Sequence, residues 1–486
     1  MKKLLFSLVL LLGASSLFAQ VGVVGWESHW SGYTTASRGI SRISMFNGDV
    51  AWSIAYDGSG NGDQISALGV TTDGGVTWPT YDPVSLPGAV NPGLSMIFPT
   101  SPTTAYVAAY KRSFGNGGVW KTTDTGANWI KVSTASMYAN SASFCNIVYF
   151  TDADHGFIQG DPINGEFEMY STSDGGTTWT PIDGENIDDP LSGEYGYTGG
   201  IVAAGGTIWF TTSAGRLYRS TDNGATWTAH DTPLVDFGGN NGDSGSVTFK
   251  DANEGWILRG NSELYHTTDA GDTWTLLSST VLTDMSGDIV YVPGADRLII
   301  VDADFNHTNF GSAYSDDGGV TWTKILYYKL DGFNNNDWVD PHHIHYTGND
   351  NNDHVIGDLQ HTCIAVYDQD HILSGTFMSQ VDPNNSLTWN GGIYIYNNTS
   401  VDKVASNTVK GLQMYPNPAS NFIHISASND ISKVSIYDMA GKEVKNINDI
   451  DITETTINLQ DLKQGFYLIK ITDVKGGEQT NKLVIK

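Results

Sequence analysis

Thr71-Thr-Asp73-Gly-Gly75-Val-Thr-Trp78 is an octet that returns five more times along the chain. The copies are Thr122-Thr-Asp124-Thr-Gly126-Ala-Asn-Trp129, Thr172-Ser-Asp174-Gly-Gly176-Thr-Thr-Trp179, Ser220-Thr-Asp222-Asn-Gly224-Ala-Thr-Trp227, Thr267-Thr-Asp269-Ala-Gly271-Asp-Thr-Trp274 and Ser315-Asp-Asp317-Gly-Gly319-Val-Thr-Trp322. Successive tryptophans stand 51, 50, 48, 47 and 48 residues apart. A fixed period of this size marks a propeller or a solenoid. Each period repeats one internal order. In the fifth, Ser246–Lys250 alternates, Glu254–Leu258 follows, and Glu263–His266 runs through the octet into Trp274–Leu277. Four short strands separated by turn residues make one four-stranded blade.

The octet resembles the Asp-box of the sialidase-type β-propeller superfamily, and all six copies match it. Its physics is that of a hairpin turn between the third and fourth strands. The aspartate accepts backbone N–H bonds within the turn, the glycine supplies a positive φ, and the tryptophan packs over its own hairpin and its neighbour. Six like copies serve every blade alike. Asp73, Trp78, Asp124, Trp129, Asp174, Trp179, Asp222, Trp227, Asp269, Trp274, Asp317 and Trp322 are therefore read as structural, and the resemblance implies that they lie on the rim away from the ligand face. A seventh blade follows without a box, in Cys363–Tyr367, His371–Gly375 and Gly391–Tyr396. Its outermost strand is expected from Val21–Ser31, which carries Trp26 and Trp30. Strands from both ends of the repeat region would close the ring and remove free sheet edges. The expectation is an all-β, seven-bladed β-propeller, with eight blades as the alternative if Asp340–Asp358 forms an extra hairpin pair.

The flanks differ in character. Residues 1–19 read as a secretory signal peptide: Lys2 and Lys3, an apolar run from Leu4 to Leu12, then small residues up to a cut after Ala19. No other stretch is long and apolar enough for a membrane span. The propeller is assigned to 20–397 and a polar linker to 398–410. Past that point the period is lost. Tyr415-Pro416-Asn417-Pro418 is followed by a strand and turn at Gly441, then Leu462-Lys-Gln-Gly465-Phe-Tyr467, then a basic apolar end from Lys482. Alternating strands there suggest a small β-sandwich over 411–486. These four elements, in register, resemble the type A sorting domain of type IX secretion cargo in Bacteroidetes. That resemblance implies passage through the outer-membrane translocon and its sorting machinery. It also implies a secreted or surface location on a Gram-negative bacterium.

Charge narrows the partner. The chain has 486 residues, 53 acidic and 25 basic, for a formal net charge of −28. From Asp402 onward acids and lysines cancel, so residues 21–401 carry −30. A nucleic-acid partner is excluded by a field of its own sign. Two cysteines, Cys145 and Cys363, are too few for a disulfide scaffold, and their blades stand across the ring, so both are expected as buried thiols. The acidity concentrates in Asp57–Gln64, Asp161–Glu168, Asp183–Glu194, Asp231–Asp243, Asp302–Asn309 and Asp331–Asp358. Blade topology places these loops on the face opposite the boxes. Such a rim favours cations or basic partners.

Catalysis by a sialidase-like glycoside hydrolase would draw on Arg42, Arg112 and Arg259, with Asp63 as acid and Glu194–Tyr195 as base and nucleophile. The chain departs from the family at the first step: Arg42-Ile43-Ser44 stands where the signature has Arg-Ile-Pro. No second motif supports the set. The insert after the sixth blade holds six of twelve histidines between 342 and 371. Asp340, His343, His345 and Asp358 are its candidate metal ligands, and its Asp/Asn runs would suit Ca²⁺ through oxygens. No complete ligand spacing is present and no cofactor is assigned. The leading reading is a non-catalytic, secreted binding or adhesion propeller that takes a glycan, protein or cation on its acidic loop face. A glycoside hydrolase and an accessory part of a surface motility or adhesin assembly are the alternatives.

Overall fold

The computed structural model describes residues 24–35, 38–58, 62–112, 117–278, 285, 287–303, 311–329, 354–357, 361–376, 392–398, 409, 412–438, 442–474 and 478–486. The signal segment, most of the linker, Gly441 and all four candidate metal ligands lie outside these residues. Two compact units divide the chain, 23–398 and 1–22 with 399–486.

The first unit is all-β. Among the described residues it contains six four-stranded antiparallel sheets and one six-stranded sheet. The innermost strands are Arg38–Met45, Pro92–Pro99, Cys145–Phe150, Gly196–Ala204, Gly245–Phe249, Asp288–Val292 and Cys363–Asp368. Each touches the next, and Cys363–Asp368 returns to Arg38–Met45, so the sheets stand around a ring. The closing contact includes Ile40 N–H donating to Thr376 O at 3.0 Å.

The seventh sheet joins both ends of the unit. Val24–His29 pairs antiparallel with Ile393–Asn398. On its other side Val24–His29 runs parallel to Leu326–Lys329, with Gly25 opposite Leu326. Leu326–Lys329 in turn pairs antiparallel with His354–Gly357. The ends of the insert thus extend the seventh sheet outward, and the described residues of this unit contain no eighth separate sheet. Trp26 is buried in this sheet, and its Nε1–H donates to Ser312 Oγ of the sixth sheet at 2.7 Å.

The boxes fasten neighbouring sheets. Gly75, Gly126, Gly224 and Gly319 have φ between +87° and +97°. A Cβ on Gly126 would stand 2.7 Å from Tyr81 of the preceding blade, and one on Gly319 would stand 2.4 Å from Leu264. Rings of the preceding blade reach the box carbonyls: Tyr81 OH donates to Thr125 O at 2.9 Å, and Trp256 Nε1–H to Gly318 O at 3.0 Å. The box tryptophans complete the seam, with Trp129 edge-on to Trp52 at 6.1 Å and Trp227 to Phe157 at 5.0 Å. Aromatic contact of this kind adds to the burial that holds adjacent blades together.

The second unit is one five-stranded sheet of Gln413–Tyr415, Phe422–Asp438, Glu443–Asn458, Gly465–Asp473 and Glu478–Ile485. Phe422–Asp438 pairs with three of the others. Ile425, Val434, Ile436, Ile469, Ile471 and Leu483 are fully buried in its core. A sandwich was the sequence expectation; the described residues form a single connected sheet.

Candidate functional site

Hydrogen bonding fixes which end of the ring holds the boxes. Gly74 N–H donates to Asp49 O, Gly175 N–H to Asp154 O and Ala270 N–H to Asn253 O, at 2.8–2.9 Å. The acceptors lie in turns between first and second strands, so boxes and those turns share one end. Loops between second and third strands occupy the other, while the connection after the third blade reaches back to the box of the fourth, where Trp227 N–H donates to Asn186 O at 2.8 Å. Within the first box Asp73 Oδ1 accepts Thr77 N–H at 2.9 Å, and Oδ2 accepts the Thr77 hydroxyl at 2.6 Å. Trp78 Nε1–H donates to Gly75 O at 2.9 Å. The same carboxylate pattern holds in the other five boxes. The Trp179 Nε1–H of the third box has no partner. These bonds hold all six carboxylates below the usual aspartate range, Asp317 to about 2. The aspartates spend their acceptor capacity inside their own turns.

A cavity of about 1120 Å³ runs among the inner strands. Arg42, half-buried, extends from the first blade to the fourth. Its Nη1 donates to Gly199 O at 2.9 Å and its Nη2 to Thr198 O at 2.7 Å. Gly199 has φ +55°, and a Cβ there would lie 2.4 Å from the guanidinium carbon, so this approach requires glycine. Burial lowers the Arg42 pKa, and Asp288 of the sixth blade opposes that shift. Burial in turn raises the Asp288 pKa, against a hydrogen bond from Ser246. One side chain thus ties the blades across the cavity.

His361 lies at the edge of this cavity between Trp26 and Tyr394, at ring distances of 4.8 and 5.1 Å. Ser374 Oγ donates to Cys363 O at 2.9 Å, so it accepts from His361 Nδ1–H at 2.6 Å. Burial pushes the imidazole pKa down to about 3, so the ring is neutral with Nδ1 engaged. Cys145 and Cys363 are buried free thiols. Burial raises both, Cys363 to about 12.

The remaining hydrolase candidates go to different partners. Arg112 Nε donates to Pro92 O at 3.2 Å, and its Nη2 to Ile65 O. Arg259 pairs with Asp243 at 2.8 Å and with Glu263 at 3.0 Å. Neither lines the cavity that Arg42 enters. The Glu194 carboxylate is fully buried against Arg216 and accepts Leu191 N–H at 2.7 Å and the Thr212 hydroxyl. Tyr195 OH accepts instead from Asn240 Nδ2 at 2.8 Å. Asp63 is exposed, and its N–H donates to Asp57 Oδ2 at 2.8 Å. Glu194 and Tyr195 are chain neighbours with separate engagements.

Sequence reasoning missed the polar cluster around Tyr197. Tyr197 OH donates to the buried Asp236, which also accepts Gly238 N–H and Asn241 N–H at 2.9 Å. The ring of Tyr197 covers Gly238, where a Cβ would lie 2.1 Å away. Tyr110 likewise covers Gly93 and stacks on Phe144 at 4.0 Å. The available signal was an aromatic facing a glycine in register at a strand end, as in Gly93 opposite Tyr110. Beside them Asp161 accepts from Asn146 Nδ2 at 2.7 Å, and burial raises its pKa to about 6. Among the described residues no group of three or more His, Cys, Asp or Glu could hold a metal ion.

In the second unit Asn417 joins the Tyr-Pro-Asn-Pro motif to the strand Glu478–Ile485. Its Nδ2 donates to Lys482 O at 2.7 Å, and its Oδ1 accepts Val484 N–H at 3.0 Å. Ala419 N–H adds a bond to Val484 O at 2.8 Å. Tyr467, buried, donates its hydroxyl to Lys463 O at 2.7 Å.

Comparison with known proteins agrees with both halves. Residues 413–486 match the family described as secretion system C-terminal sorting domain, and 313–324 match the BNR/Asp-box repeat. No curated protein matches the chain. Among solved structures, YCF48 bound to D1 peptide is 12% identical, covering 77% of this chain and 99% of its own, with a TM-score of 0.48. YCF48 from Cyanidioschyzon merolae is 14% identical over the same shares, with a TM-score of 0.47. The Niastella koreensis GH74 enzyme is 12% identical, covering 95% of this chain and 84% of its own, at 0.42. The chain is an Asp-box β-propeller with a type IX sorting domain, which directs it to the cell surface or beyond. No helix among the described residues is long and apolar enough to cross a membrane.

Proposed function

We propose that this exported propeller is a binding module, not a hydrolase, and that it takes its partner on the loop face opposite the Asp-boxes. The observation that carries the reading is the dispersal of the hydrolase candidates. A sialoside carboxylate would need three convergent arginines. Here Arg42 is bound to carbonyls across the cavity, while Arg112 and Arg259 are engaged at other places. Glu194 is held by Arg216, leaving Tyr195 without it as a base.

The partner follows from charge. With −30 on residues 21–401, the face repels anionic sugars and attracts basic protein surfaces or neutral, hydrogen-bonding glycans. Rings such as Tyr195 and Tyr197, with Asn240 beside them, supply flat apolar area with polar edges, a composition suited to both. The test presents the purified full chain to arrays of neutral glycans, sialosides and lysine-rich peptides at two salt concentrations. Retention of neutral glycans or basic peptides, without release of sugar, supports the reading. Hydrolysis of any glycoside would replace it.

A further inference from the structure

We propose that the secretion machinery reads the outward face of the sorting sheet formed by Tyr437, Phe466, Leu468, Lys482 and Val484, and that Asn417 positions that face. This rests on the sorting-domain match and is independent of what the propeller binds. Along Gly465–Asp473 the odd-numbered residues Tyr467, Ile469 and Ile471 are buried, while Phe466 is 55% and Leu468 40% exposed. Antiparallel register brings neighbours onto the same face: Phe466 opposite Val484, Leu468 opposite Lys482 on one side and opposite Tyr437 on the other. Three adjacent strands therefore share one apolar patch. Lys482 Nζ stands 4.4 Å over the Phe466 ring, and Lys470 lies next along the same strand face. Adjacent large apolar side chains left in water on one sheet face mark an interface.

The occupant follows from the module itself. The patch lies wholly within residues 413–486, the segment that matches a domain whose described role is sorting by a secretion system. Its lysine border calls for a receptor groove that is apolar at its base and carboxylate-bearing at its rim. The motif's role then follows from geometry. Asn417 bonds to the backbone of Lys482 and Val484, the two residues that supply the patch's outer row. A side-chain amide that mimics a strand partner fixes their height and register without covering their side chains.

The test expresses the full chain in a bacterium with type IX secretion and measures the exported fraction against the periplasmic one. F466S/L468S should lower export about tenfold, equivalent to ~1.4 kcal/mol of lost recognition, with the melting temperature of the purified protein unchanged because both side chains are exposed. N417A should lower export and also speed hydrogen exchange at the Val484 amide. Wild-type export of F466S/L468S would overturn the proposal. So would concentration-dependent self-association that the double substitution abolishes while export continues, since the patch would then join two copies. Faster exchange in N417A with normal export would remove Asn417 from the positioning role.

Discussion

Replacing Glu194 by glutamine separates the two roles this residue could have. In the structure its carboxylate is fully buried, and the paired Arg216 side chain is only 12% exposed. Besides Arg216 it accepts from Leu191 N–H and the Thr212 hydroxyl. A glutamine keeps the shape but loses the charge, and it turns an NH₂ group toward one of these donors. Breaking one side of a buried pair costs about 3–5 kcal/mol, because the surviving charge stays buried without compensation. E194Q should therefore unfold at clearly lower urea concentration with the slope unchanged. R216M should cost a similar amount. E194Q/R216M should recover most of the loss, giving a coupling free energy of at least ~2 kcal/mol in a double-mutant cycle. Tyr195 offers the control: Y195F removes one hydrogen bond, to Asn240, and should cost roughly 1 kcal/mol. If E194Q unfolds like the wild type and instead abolishes a glycosidase activity, the reasoning fails. Glu194 would then be serving Tyr195 as a base.

Four further outcomes are expected. Asp161 is protonated more easily in the folded chain, with a pKa of about 6 against 3.8 for its ordinary value. Its burial therefore costs stability that is absent below pH 4 and fully felt above pH 6, and D161N should stabilise the protein at pH 7 by about 1–3 kcal/mol and flatten that part of the pH–stability curve. His361 has the opposite sign: its folded pKa of about 3 lies below the ordinary 6.5, so stability present above pH 6.5 is lost as pH falls toward 3. H361F should remove that slope, and NMR of the wild type should show this imidazole neutral down to pH 4. W129A, which empties a buried box ring and its bond to Gly126 O, should cost about 3–5 kcal/mol in urea unfolding. G199A should shift Arg42 off its two carbonyls and destabilise by at least ~1 kcal/mol through both contact and positive φ.

The repeat was the most legible part of the fold. An octet with Asp, Gly and Trp at fixed offsets encodes a turn whose bonds are local, so Asp73 to Thr77 could be foreseen from five residues of sequence. Strand order within a blade follows for the same reason. The partner of Leu326–Lys329 could not be read that way, because it pairs with Val24–His29 some three hundred residues earlier. Neither neighbour carries a pattern naming the other. The site was legible in composition but not in geometry. Acidic runs between the strands suggest a face, yet nothing adjacent to Arg42 shows that it reaches Thr198 and Gly199 across the cavity. Glu194 and Tyr195 illustrate the converse. Adjacency in sequence suggested a pair, but in the loop that precedes Gly196 the two side chains go to different partners, Arg216 and Asn240. The metal candidates of the insert fall outside the described residues.

In the proposed function the acidic loop face binds and does not hydrolyse. The most direct measurement is the binding of the full chain to an immobilised panel of neutral glycans and lysine-rich peptides, compared with D63K/D189K/D231K, three exposed carboxylates near the loop ends of the strands reversed in charge. The expected result is retention of a panel member by the wild type that weakens when the charges are reversed, with no sugar released. Sialoside turnover that survives the charge reversal and disappears in R42A would contradict it.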